Sequence, residues 1–159
     1  MAEYVFESKP AIIEQNKGVA LRVALIGAVI GVLTWVLAYA LERFVLSALF
    51  CGDQATCERA VDYSGAIALI IASVVGLVVL VRTHVYRPLL VVIGVAISLW
   101  GITAWTSGLM ILEQLGWAAL LFALAYSAYT WLARIRNVVI MLILVVLLVI
   151  ATRVIPMMV

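Results

Sequence analysis

The residues of this chain that could do chemistry are two cysteines, one histidine and a few charges. Cys51 and Cys57 enclose five residues in one short polar stretch. If that stretch faces an oxidising compartment, a disulfide is expected, pinning the exit of the first helix to the start of the second. The sharper alternative is a thiol-redox pair. Membrane thiol oxidases relay electrons through two cysteine pairs, typically including a C-x-x-C motif, and a reactive thiol needs a perturbed environment. This chain has one pair and no C-x-x-C, so the pair reads as structural. His84 is the single histidine. With two cysteines it does not make up the soft-ligand set of a zinc or iron–sulfur site, and no metal or cofactor is expected.

The remaining candidates are rim charges. Glu42 and Arg43 end the first apolar run, and neighbours in sequence point about 100° apart on a helix, so each would look to another outer charge. A gate or substrate site and a solvated helix end are the two readings. Glu113 is the only acid after Asp62 and is expected in a loop. Arg82 and Arg87 flank His84 in a short link. They read as topological charges, or as a basic site for an anionic headgroup.

The elements that must position these groups are set by composition. Of 159 residues, 68% are hydrophobic and 11% charged, against roughly a quarter charged in an ordinary soluble domain. So much apolar surface cannot be hidden in a core of this size, and a bilayer resolves the conflict. The net charge of +2 gives no ground for nucleic-acid binding. The expected fold is all-α, a polytopic transmembrane helical bundle, with the lipid bilayer as the first partner.

Residues 1–18 form a polar, mixed-charge arm on the cytoplasmic side. Residues 19–159 form one transmembrane domain with spans near 19–41, 64–82, 88–106, 116–133 and 138–155, since a helix crosses a ~30 Å core in about 20 residues. The stretches 51–62 and 107–116 are expected as outer loops. The last run is short, so a four-span reading with a re-entrant end is the alternative. Ala38-Tyr39-Ala40 resembles a signal-peptidase site, but the run before it exceeds a usual h-region and its leader is partly acidic, so no cleavage is expected. No internal repeat supports an inverted-repeat carrier.

Orientation follows from Lys and Arg. With the N-terminus inside, seven fall on inner segments (Lys9, Lys17, Arg22, Arg82, Arg87, Arg134, Arg136) and three on outer ones (Arg43, Arg59, Arg153). This is the positive-inside bias. Trp105 and Trp117 fall at the outer boundary, and Tyr86, Tyr129 and Trp131 at the inner one. The C-terminus is then outside, in what reads as a bacterial inner (plasma) membrane.

The helix cores carry hydroxyls and rings but no charge: Thr34, Ser73, Ser98, Thr103, Ser127 and Thr130. Ion-coupled carriers generally need an intramembrane acid, base or ion site, and hydrolysis needs paired acids, a metal or an activated serine. An enzyme is not expected. Small residues recur four apart on Gly27 and Gly31, on Ser64, Ala68, Ala72 and Gly76, on Gly94 and Ser98, and on Ala119, Ala123 and Ser127. Such stripes let helix backbones approach, within the chain or toward a partner. The leading expectation is a scaffold, assembly factor or accessory subunit working through helix packing on itself or on other membrane subunits. The alternative is a small oligomeric transporter or flippase for a lipid-like or amphiphilic substrate, and the third reading is thiol redox.

Overall fold

The computed structural model describes residues 17–50, 54–83, 85–106 and 108–158. For Lys17, Phe50, 54–59, Ala104 and 155–158 it describes the backbone only. The arm at 1–16, Cys51 and His84 lie outside the described residues, as does the side chain of Cys57, and so therefore does the expected disulfide.

Every described element is a helix. Helix α1 (Lys17–Leu41) runs without a gap through a π turn (Glu42–Leu46) into α2 (Ser47–Phe50). Then follow α3 (Gln54–Arg82), α4 (Pro88–Ser98), α5 (Ile102–Thr106), α6 (Ile111–Ala133) and α7 (Val138–Met158). These make five rods: α1–α2, α3, α4–α5, α6 and α7. Three stretches, Gly18–Leu49, Ala60–Arg82 and Ile111–Ala133, are long and apolar enough to cross a membrane, while Pro88–Ser98 and Val138–Val154 are shorter apolar helices. The expected all-helical bundle is therefore observed, and its apolar rods are consistent with a membrane-embedded protein.

Three boundaries differ from the sequence reading, each for a local reason. The expected outer loop at 51–62 is mostly helix, because α3 begins at Gln54. No proline or glycine interrupts Gln54–Asp62, and a helix needs no membrane to continue into water. The expected loop at 107–116 likewise gives way to α6 at Ile111, where the Glu113 carboxylate accepts a hydrogen bond from the Met110 N–H at 3.3 Å. An acid in the first turn also suits the positive end of the helix. The expected continuous span at 88–106 is broken between Ser98 and Ile102, where Gly101 takes φ +83°, a left-handed conformation that glycine adopts without strain.

The core lies where α1, α3, α4 and α6 meet: Val23 and Ile30, Ala72 and Leu80, Val91 and Val95, Phe122, Tyr126 and Tyr129. Helices α1 and α6 pack most closely, and the reason is the Gly27-x-x-x-Gly31 stripe. A Cβ at Gly31 would lie 2.5 Å from the Ala118 carbonyl oxygen, and one at Gly27 would lie 2.9 Å from that of Phe122. Bare glycine brings the α1 backbone onto α6. Gly76 on α3 leaves room for the Tyr126 hydroxyl, and Gly94 on α4 for the Tyr129 ring. Ala68 and Ala72 are fully buried. The small-residue stripes are spent on the chain's own packing.

Tyr129 was expected at the inner boundary beside Trp131. It is instead buried and hydrogen-bonded to Ser98 at 2.5 Å, tying α4 to α6. Trp131 and Tyr86 are exposed at that end of the bundle, and Trp105 and Trp117 at the other.

Helix α7 is capped by Asn137, whose Oδ1 accepts from the Val139 N–H at 3.1 Å. It packs on α4 and α6 and leaves Val139, Ile143 and Leu147 exposed. The Arg153 guanidinium donates to the Ile97 carbonyl at 3.0 Å (Nε) and 2.6 Å (Nη2), and to the Trp100 carbonyl at 2.8 Å (Nη1). These acceptors belong to the α4–α5 break, where regular i+4 amide donors are displaced. The last helix thus caps the interrupted one.

Candidate functional site

Polar groups gather at the end of the bundle where α1 and α5 finish and α3 and α6 begin. Between them lies a partly open cavity of about 310 Å³, at the lower end of the range for small-molecule sites. Helix α1 contributes Trp35, Ala38 and Tyr39, with Glu42 at the start of the π turn. Their spacing of three, four and seven residues puts them on one helix face. Trp35 and Tyr39 are stacked, with ring centroids 5.5 Å apart and planes 12° from parallel. Helix α3 supplies Val61 and Ser64, α5 supplies Thr103 and Thr106, and α6 supplies Ile111 and Gln114.

The hydrogen bonds fix what this lining offers. Trp35 Nε1 donates to Gln114 Oε1 at 3.1 Å, and Gln114 Nε2 donates to the Leu109 carbonyl at 3.0 Å. Ser64 Oγ donates to the Val61 carbonyl at 2.7 Å and Thr106 Oγ1 to that of Ile102 at 3.0 Å. The protons of Ser64 and Thr106, the Trp35 N–H and one of the two amide N–H groups of Gln114 are thus engaged within the protein. Lone pairs remain on Ser64, Thr106 and Gln114, alongside the Glu42 carboxylate. The hydroxyls of Tyr39 and Thr103 can turn either way. Among the described residues the Glu42 carboxylate has no ion-pair or hydrogen-bond partner.

Deeper hydroxyls do not extend this polar lining through the bundle. Thr34, Ser73 and Ser127 each donate to the carbonyl four residues back at 2.7 Å, the usual way a hydroxyl is satisfied inside a helix. A second cleft of about 440 Å³ between α4 and α7 is lined by Leu90, Ile93, Ile97, Leu142, Val146 and Ile150 among others, and no lining side chain is polar.

The other rim charges separate by role. Arg43 is exposed on the π turn beside Glu42. Glu113 serves the start of α6 and does not line the cavity. Arg82 is exposed at the opposite end. Arg87 is half-buried there, its guanidinium 4.9 Å from the centre of the Tyr86 ring and donating to Met141 Sδ at 2.9 Å. Arg87 also holds φ at +53° just before Pro88. Arg87 therefore joins the α3–α4 link to α7. No group of three or more metal-binding side chains occurs among the described residues.

Of the rim charges singled out in the sequence, Glu42 alone lines the cavity. Trp35, Tyr39, Ser64, Thr103, Thr106 and Gln114 were not singled out as a binding set. The Trp35/Tyr39/Glu42 spacing on one helix face was the available signal. The cross-helix partners depend on how α3, α5 and α6 converge. No family model, curated protein or solved structure matches the chain.

Proposed function

We propose that this chain is a multi-pass integral membrane protein that holds a small amphiphilic solute in the Glu42 cavity and carries out no covalent chemistry on it. All five rods cross an inner (plasma) membrane, the N-terminal side faces the cytoplasm and the cavity opens outside. The observation that carries this reading is the concentration of a carboxylate, an amide, hydroxyls and stacked rings around one cavity at the rim of an otherwise uncharged bundle. Beside that, the small-residue stripes that would have served a docking partner are occupied by α1, α3, α4 and α6 themselves. The orientation rests on the seven-to-three distribution of basic residues,.

The test is ligand-dependent stability of the protein in nanodiscs, screened against small amines, alcohols, acids and sugars. A binder raises the apparent melting temperature because it favours the folded state. Thr103→Phe, which fills the cavity, is expected to abolish that rise. Absence of any stabilising solute, or a rise that Thr103→Phe leaves intact, would remove the reading.

The accessory-subunit reading draws on one feature, the exposed apolar face of α7 at Val139, Ile143 and Leu147. Its consequence is a membrane protein that co-purifies in mild detergent and is lost when that face is made polar. Purification of the chain alone, unaffected by such changes, would count against it.

A further inference from the structure

We propose that the cavity selects a protonated organic amine, with Glu42 as its counter-ion and Trp35 and Tyr39 as the wall against which its carbon skeleton lies. This rests on the solute-binding reading above and adds the charge and hydrogen-bonding character of the solute.

The argument starts from the donor and acceptor inventory. A ligand meeting Ser64 and Thr106 meets oxygens whose protons are already directed to Val61 and Ile102. At Gln114 it meets a carbonyl oxygen with one lone pair taken by Trp35 and an amide nitrogen with one of its two N–H groups engaged by Leu109,. At Glu42 it meets a carboxylate, which only accepts when ionised. Beside the Tyr39 and Thr103 hydroxyls, which can turn either way, and the second Gln114 N–H, the cavity presents acceptors and one carboxylate without a partner among the described residues. An anion would find like charge and few donors. A neutral alcohol could use one or two acceptors but would leave the carboxylate without a counter-charge. An ammonium group supplies several N–H donors and the opposite charge, and hydrogen bonds between ionised partners are the stronger ones.

The aromatic pair points the same way. Stacked Trp35 and Tyr39 present electron-rich ring faces, which attract cations, tryptophan most of all. The π turn beginning at Glu42 adds an independent sign, since single π turns within α-helices concentrate at functional sites. The uncharged Val61, Ala38 and Ile111 complete the lining and suit the apolar part of an amphiphilic amine.

Binding of four probes of similar shape tests the proposal: phenethylamine, its trimethylammonium analogue, 2-phenylethanol and phenylacetate. Each is titrated by calorimetry and by tryptophan emission into the full-length protein in nanodiscs at neutral pH, with empty nanodiscs as the partition control. The amine is expected to bind about tenfold or more tighter than the alcohol, and Glu42→Gln to remove that advantage. The trimethylammonium probe, which keeps the charge but has no N–H, is expected between them. Glu42→Asp, which keeps the charge, is expected to retain the order of preference. Equal affinity for amine and alcohol, tightest binding of the acid, or a preference that survives Glu42→Gln would overturn the amine assignment while the solute-binding reading stands. If no probe of any charge binds beyond the empty-nanodisc control, both readings fall together.

Discussion

Gly31→Ala is expected to lower the stability of the bundle sharply although it adds one methyl group. The added carbon would sit 2.5 Å from the Ala118 carbonyl oxygen, 2.9 Å from Phe122 Cβ and 3.0 Å from the Ala118 carbonyl carbon. Two of these atoms are α6 backbone, which no rotamer change can move. Relief requires α1 and α6 to separate, and that loosens Phe122 and Tyr126 against Ile30 and Val23. Overpacking of this kind costs about 1–3 kcal/mol, and the site belongs at the upper end because the blocking atom is a carbonyl oxygen. Gly116→Ala on α6 is the internal control. Nothing lies within 4 Å of a Cβ built there, and alanine is preferred over glycine in a helix by up to about 1 kcal/mol. Thermal unfolding in detergent, followed by circular dichroism, should therefore move in opposite directions for the two variants. Equal shifts would mean that the close approach of α1 to α6 does not hold the bundle together.

Arg153→Ala is expected to release α7 and open the α4–α5 break. The guanidinium makes three hydrogen bonds to the Ile97 and Trp100 carbonyls. Interrupted backbone at membrane depth is tolerated only where its polar groups find partners in protein or water. Without Arg153 these carbonyls lose their donors beside the apolar side chains of α7, and a hydrogen bond to a charged group contributes about 1.5–3 kcal/mol. Arg153→Lys should fall between wild type and alanine, since a point ammonium cannot reproduce the fork that spans two carbonyls. Amide hydrogen exchange reads this out. Faster exchange confined to α7 and residues 97–106 is the expected pattern. A uniform change across all helices would show that Arg153 contributes only general stability.

How much of this could be read from the sequence depends on which physical signal carries each feature. Hydropathy locates the five rods, because burial in lipid demands long apolar stretches whatever their packing. It does not reveal the break at Gly101, since 88–106 stays apolar on both sides of the interruption and one glycine is compatible with a continuous span. Nor does it reveal that α3 begins at Gln54 or α6 at Ile111, because a helix that continues past its apolar run into residues of mixed character has the hydropathy of a loop. The glycine and alanine stripes were legible as packing faces. That they close on this chain's own helices could not be known until Gly31 was seen against Ala118 and Gly76 against Tyr126. The burial of Tyr129 is not legible in the sequence, because an aromatic near a basic link fits an exposed interfacial belt equally well, and its bond to Ser98 spans 31 residues of sequence.

The candidate site was the least legible part. Glu42 could be named because an acid at the end of an apolar run is unusual. Its companions are ordinary membrane residues whose significance comes from convergence. The acceptor character of the cavity is a second-order property, depending on where Ser64, Thr106, Gln114 and Trp35 direct their donors.

The proposed membrane arrangement has one requirement: five crossings with the Glu42 end of the bundle outside. The most direct measurement is labelling of single cysteines in intact cells with a membrane-impermeant maleimide, in a Cys51→Ser/Cys57→Ser background. Ser47→Cys, Leu109→Cys and a cysteine appended after Val159 should label from outside, and Thr83→Cys only after permeabilisation. Labelling of Thr83→Cys in intact cells, or protection of the appended cysteine together with labelling at positions 47 and 109, would contradict the proposed five-crossing arrangement.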